Sequence, residues 1–199
     1  MPGRIALAGH QGFPVKISWV LADAVQLDPM QNVDELKRLG AFWGSWLTWR
    51  ACATDNVICH SMSQADQLIR RGFQHSCNLY IPNAVYTSLD RPPLVCLYEG
   101  DFVHDVIRQE EIVALHLAAT TSDIVLMLGF DLTELRPDAD RLQDHRAHHH
   151  RHHVRQAIKT YQQVQWVLVD HEAPLDPNLN KLTNISTDTL ENVLAFNPD

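Results

Sequence analysis

Six short apolar runs punctuate the chain, and each stops at a polar or ionisable residue. They are IALAG before His10, VIC before His60, LYIP before Asn83, LVCLY before Glu99-Gly100-Asp101, IVLMLGF before Asp131 and WVLV before Asp170-His171. Apolar runs of this length, alternating with helical patterns, mark strands of a parallel sheet buried on both faces. Sheets of that kind bind ligands just beyond the carboxyl ends of their strands, where these terminal side chains gather. The pattern locates a site before it says anything about chemistry.

Residues 4–9 read as a first strand leading into the turn His10-Gln11-Gly12-Phe13-Pro14. Residues 15–26 fit either a short helix or a further strand. Asn32 or Asp34 can cap a helix running to about Ala53, with Leu36, Leu39, Trp43, Trp46, Leu47 and Arg50 at helical spacing. Strands are expected at 56–60, 78–82, 94–99, 123–130 and 165–170, with 123–130 the most apolar and central. Between them come a helix capped by Ser63 and ending near Gly72, another over 109–120 with an acidic first turn, and a long one over about 139–163. Lys181–Ile185 reads as a last extended piece before a short helix capped by Ser186 or Asp188. The alternation runs from 1 to 199 without a linker or repeat. The chain therefore reads as a single α/β domain, three-layered and Rossmann-like, with a mainly parallel sheet of about six strands.

Composition narrows the classes. With 199 residues, 45% of them hydrophobic, the chain can bury a real core. Its formal net charge of −8 argues against nonspecific nucleic-acid binding, which needs a basic face. A nucleotide ligand remains compatible, because a few local donors suffice for one phosphate. No run approaches the ~20 apolar residues of a membrane helix, and the run before His10 is too short for a signal-peptide core. Cys52, Cys59, Cys77 and Cys96 show no C-x-x-C spacing and read as reduced, which fits a cytoplasmic protein.

Several clusters carry candidate chemistry. Gly9, His10 and Gly12 stand where dinucleotide folds place their phosphate turn, although G-x-G-x-x-G is not spelled out, and a tight strand-to-loop turn accounts for the same residues. His145, His148, His149, His152 and His153 include i,i+4 pairs able to chelate a divalent metal, or else they decorate a solvated helix face. Trp43, Trp46 and Trp49 on one helix suit either a core stripe or an interface for a homo-oligomer. Glu99, Asp101, His104 and Asp105 can hold a cation or do acid–base work, or simply form a solvated loop. Asp131, at the end of the central strand, is the acidic residue most expected to face a ligand. No G-x-S-x-G elbow or Cys/His arrangement supports nucleophilic catalysis.

The segment from Asp123 through IVLMLGFDL to Thr133, then the His-rich stretch, Tyr161, WVLVDH and Asn184-Ile185-Ser186, resembles the second half of one Rossmann-like group. That group contains the bacterial sialyltransferases and the archaeal hydroxymethylpterin pyrophosphokinase-like proteins. Gly129, Phe130, Asp131, Asn184 and Ser186 match its strand-end Gly-(Phe/Ile/Val)-Asp and late Asn-(Leu/Ile)-Ser elements. The group's Gly-x-Gly-Pro-Ser turn is replaced here by Gly9-His10-Gln11-Gly12-Phe13-Pro14. The chain is also similar to small phage-encoded proteins, which would put it in a host cytoplasm or a virion.

The resemblance implies a group transferase using a nucleotide-linked donor. His10 or His171 would then be the general base, with Asp131 as the catalytic carboxylate. Gly9 and Gly12 would approach phosphate, while Asn83, Asp101 and Gly129 would contact the remainder of the ligand beside Asn184 and Ser186. Two other readings use the same residues. One is a noncatalytic, oligomeric phage structural or assembly protein joined through the tryptophans. The other is a metal-binding protein built on the His cluster.

Overall fold

The structure, a computed structural model, describes residues 14–22, 33–99, 110–132, 141–171 and 174–195, with the backbone alone at 51 and 141–147. Among the described residues eight strands form one sheet, and every neighbouring pair is parallel. In chain order they are β1 (Ile17–Leu21), β2 (Ala41–Ser45), β3 (Asn56–Ile58), β4 (Asn78–Pro82), β5 (Cys96–Tyr98), β6 (Ile124–Leu128), β7 (Gln165–Val169) and β8 (Ile185–Asp188). Across the sheet they lie in the order β5-β4-β3-β2-β1-β6-β7-β8. The α/β class expected from the sequence holds, but the sheet has eight strands rather than six.

Strands buried on both faces explain the apolar runs. In β1, Trp19 and Leu21 point into one layer and Val20 into the other; in β6, Leu126 and Leu128 oppose Val125 and Met127 in the same way. One layer is covered by α5 (Glu110–Thr121) and α6 (Arg141–Thr160). The other is covered by α1 (Val33–Leu39), α2 (Trp46–Cys52), α3 (Met62–Arg70), α4 (Asn83–Ser88) and α7 (Leu190–Leu194). Right-handed crossovers produce this division. The chain steps outward from β1 to β5 with its helices on one face, then returns across the sheet to β6 and continues to β8 on the opposite face. Leu175, Leu179 and Leu182 of the β7–β8 connection pack on the α5/α6 side accordingly.

Three of these strands are not among the six expected runs: β1 lies in the 15–26 stretch that fits either helix or strand, β8 starts at the end of the expected extended piece 181–185, and β2 lies where apolar spacing misleads. Residues 41–45 are not the middle of a helix but form β2, flanked by the short helices α1 and α2. Gly40 permits the break: a Cβ there would sit 2.0 Å from the Ile17 carbonyl oxygen of β1. At the other end Ser45, fully buried, caps α2 by accepting hydrogen bonds from the Leu47 and Thr48 amides at 3.1 and 3.3 Å.

Trp43, Trp46 and Trp49 consequently do not share a helix face. Trp43 is buried in β2, where its Nε1 donates to Ser18 Oγ at 3.2 Å and its ring meets Tyr80. Trp46 and Trp49 stack at 5.3 Å and close on the edge of Phe73, so they complete a hydrophobic cluster of their own protomer. Among the described residues no helix is long and apolar enough to cross a membrane.

Candidate functional site

β1 and β6 are neighbours from which the chain continues in opposite directions, so the topological switch of this sheet lies between their carboxyl ends. Open α/β sheets bind ligands at such a point. The Ala22 amide, just past β1, donates to the Leu128 carbonyl of β6 at 3.0 Å and holds the two ends together. Gly129 then takes φ +81°, a left-handed conformation that suits glycine. This turn sends Phe130 into the core and leaves Asp131 exposed at the edge.

One strand further along, β7 delivers His171. Burial pushes this imidazole below its ordinary value, and the Asp131 carboxylate acts in the opposite sense. His171 Nε2 is buried and has no hydrogen-bond partner among the described residues. A neutral imidazole beside a carboxylate, at the ends of adjacent strands, is an arrangement suited to proton transfer. Asp170 has a different task. Its Oδ1 accepts from the Leu190 amide at 2.7 Å and so anchors the start of α7, while its own amide donates to the Asp188 carbonyl.

A second polar cluster stands over the other half of the same edge. His60 follows β3, and its Nδ1 lies 2.9 Å from the hydroxyl of Tyr98 at the end of β5. The His60 amide donates to Glu110 Oε1 at 2.9 Å, on the first residue of α5. Burial, with Glu110 and Cys59 nearby, raises the Tyr98 phenol, so the hydroxyl stays protonated. Cys59 is pushed up by burial to about 12 and remains a thiol, which does not suit a nucleophile. The strand-end rule finds His60. Tyr98 and Glu110 carry no motif and become visible only when β3, β5 and α5 converge.

Other expected residues are distributed differently. Asn83 is exposed at the start of α4, four strand spacings from β6, or about 19 Å. Asn184 lies at the opposite, amino-terminal edge of the sheet. Its Nδ2 faces the carbonyls of Ile158, Tyr161 and Val164 at 3.2, 3.4 and 3.2 Å, so it ties down the chain leaving α6. Ser186 sits within β8, where it pairs with Gln165 at 3.4 Å. Neither joins Asp131 and His171. Gly9, His10, Gly12 and Asp101 lie outside the described residues, as does the strand expected at 4–9.

The His-rich segment is helical, and the helix spreads its imidazoles around the axis. His150 turns toward α5, with Nε2 3.1 Å from Glu111 Oε1 and its ring on Phe130. His149 and His153 stack at 6.4 Å, while His148 and His152 face the β7–β8 connection. Burial and neighbouring positive groups lower His152 and His153. Among the described residues no three His, Cys, Asp or Glu side chains are placed to hold a metal ion; the His145 side chain lies outside them. Comparison with protein-family models, curated proteins and solved structures gives no match for this chain.

Proposed function

We propose that this chain binds a nucleotide-type small molecule at the carboxyl edge of its sheet and transfers a group from it, with Asp131 and His171 as the reacting pair. The observation that carries this reading is their position at the ends of adjacent strands, beside the β1–β6 switch, with the Asp131 charge acting on a His171 imidazole that burial keeps neutral. His171 Nε2 would take the proton of an acceptor hydroxyl as that oxygen attacks the donor. The bond from the transferred group to the nucleotide breaks, and its electron pair leaves with the nucleotide. Asp131 would stabilise the imidazolium that forms. The Gly129-Phe130-Asp131 turn, which also carries the sequence resemblance, supports the same assignment.

Isothermal titration of the purified chain against a panel of nucleotides and nucleotide sugars tests the reading. Binding with a dissociation constant below about 1 mM, lost in Asp131→Asn and His171→Gln variants that remain folded, is the expected result. Absence of binding across the panel would refute it.

A further inference from the structure

Strand register brings His60 and Asn83 to the same part of the carboxyl edge. Ile58 of β3 pairs with Tyr80 of β4, and Pro82 of β4 pairs with Tyr98 of β5. The Cys59 amide continues the ladder past β3 by donating to the Tyr80 carbonyl at 2.9 Å. His60, Pro82 and Tyr98 therefore stand level, and Asn83 follows directly at the end of β4. Asn83 is far from Asp131 but only one strand spacing, about 5 Å, from His60. We propose that His60 and Asn83 hold the ribose hydroxyls of the donor, and that this donor is linked through a nucleoside diphosphate. This rests on the reading of Asp131 and His171 as the reacting pair.

The two side chains suit hydroxyl groups. The Tyr98 hydroxyl engages Nδ1 of His60 at 2.9 Å and Glu110 Oε1 accepts from the His60 amide, so ring and backbone are both fixed. His60 is half-buried, and its Nε2 makes no hydrogen bond among the described residues. Asn83 is exposed, and its side-chain amide makes none there either. An imidazole nitrogen donates or accepts according to tautomer, and an amide side chain does both. A hydroxyl also does both, so a vicinal diol matches this pair in either tautomer. The positions of His60 and Asn83 follow from β3 and β4 and do not depend on residues 23–32 and 100–109, which lie outside the described residues.

The span of the edge selects the linkage. From β3 it is three strand spacings to β6 and four to β7, or about 14–19 Å to the reacting pair. A hydrogen-bond length at each end leaves about 8–13 Å for the ligand between ribose and transferred group. A diphosphate linkage covers this distance. A monophosphate linkage, one phosphoryl group shorter, reaches only its near limit and only when fully extended.

Isothermal titration of the full chain should compare ADP-, GDP- and UDP-glucose with CMP-N-acetylneuraminate, and then the tightest diphosphate donor with its 2′-deoxy form. The diphosphate-linked donor is expected to bind about tenfold more tightly or better, and loss of the 2′-hydroxyl to weaken it by about fivefold or more. Asn83→Ala, at an exposed position, should keep the fold, weaken the ribose donor by about five- to tenfold and reduce the penalty for the deoxy form. His60→Gln should act in the same direction, and Asn83→Ala decides alone if that variant does not fold. Binding that is lost in Asp131→Asn, yet keeps its affinity and ribose preference in Asn83→Ala and in folded His60→Gln, would overturn this inference and leave the reacting pair standing. Tighter binding of the monophosphate-linked donor would overturn it as well. Ribose-dependent binding that ignores Asp131→Asn would keep the ribose site and remove the reacting pair, and absence of binding by every probe would remove both.

Discussion

The hydroxyl of Tyr98 and Nδ1 of His60 meet at 2.9 Å although β4 separates their strands. Burial keeps the phenol protonated, so the bond is made by a neutral hydroxyl. The bond thus links β3 to the edge strand β5, which is only three residues long. Tyr98→Phe keeps the buried ring and removes this link alone. It should lower stability by about 1–2 kcal/mol, seen as a reduced urea midpoint with an unchanged slope. An unchanged midpoint would mean that β5 is secured by apolar packing only.

His116 makes stability depend on pH in a defined window. Its imidazole is lowered from 6.5 to about 4, chiefly by burial and secondarily by His153. Between those values the unfolded chain binds a proton that the folded chain does not. The contribution is therefore complete above pH 6.5, declines as the pH falls, and levels off near pH 4. It amounts to about 3 kcal/mol over the whole window. His116→Phe, which can keep the ring contact with Tyr161, should flatten this part of the stability–pH curve in urea melts. A curve as steep as that of the unmutated protein would assign the acid sensitivity to other groups.

Gly40 sets the register between β1 and β2. With a virtual Cβ 2.0 Å from the Ile17 carbonyl oxygen, alanine fits only if the strands separate. Gly40→Ala should cost about 2–3 kcal/mol or prevent folding. Gly44→Ala meets the Thr48 side chain rather than backbone, at 2.9 Å, and should cost less. Urea midpoints for the two variants test the order, and a Gly40→Ala protein as stable as Gly44→Ala would contradict the close strand approach.

These same residues mark what a reader of the sequence can and cannot extract. The runs ending at His60, Asn83, Asp131 and Asp170 are legible because a central parallel strand is apolar on both faces. For the same reason β2 is not: Phe42 and Trp43 enter opposite cores, so no polar alternation distinguishes Ala41–Ser45 from a helical segment. The location of Asp131 and His171 is legible from the strand-end rule, since it depends only on where apolar runs stop. Tyr98 and Glu110 are not, because their meeting with His60 depends on strand order. The histidines on α6 suggest metal in one dimension, and the helical rotation that separates them gives two of them arginines as neighbours instead.

Asn184 is the sharpest case of a residue whose type suggests one role and whose contacts give another. Its amide nitrogen faces three main-chain carbonyls at the end of α6, and its own carbonyl accepts the Trp166 amide at 2.8 Å. Asn184→Asp would replace the donor with a carboxylate confronting those carbonyl oxygens. Loss of the hydrogen bonds and like-charge contact act together, and a destabilisation of about 3 kcal/mol or more is expected. Asn184→Ala removes the donor without repulsion and should cost about 1–3 kcal/mol. If Asn184 held a ligand instead, both variants would alter binding and leave thermal unfolding almost unchanged. Melting temperatures of the two, measured without ligand, therefore decide between an anchor for α6 and a binding residue.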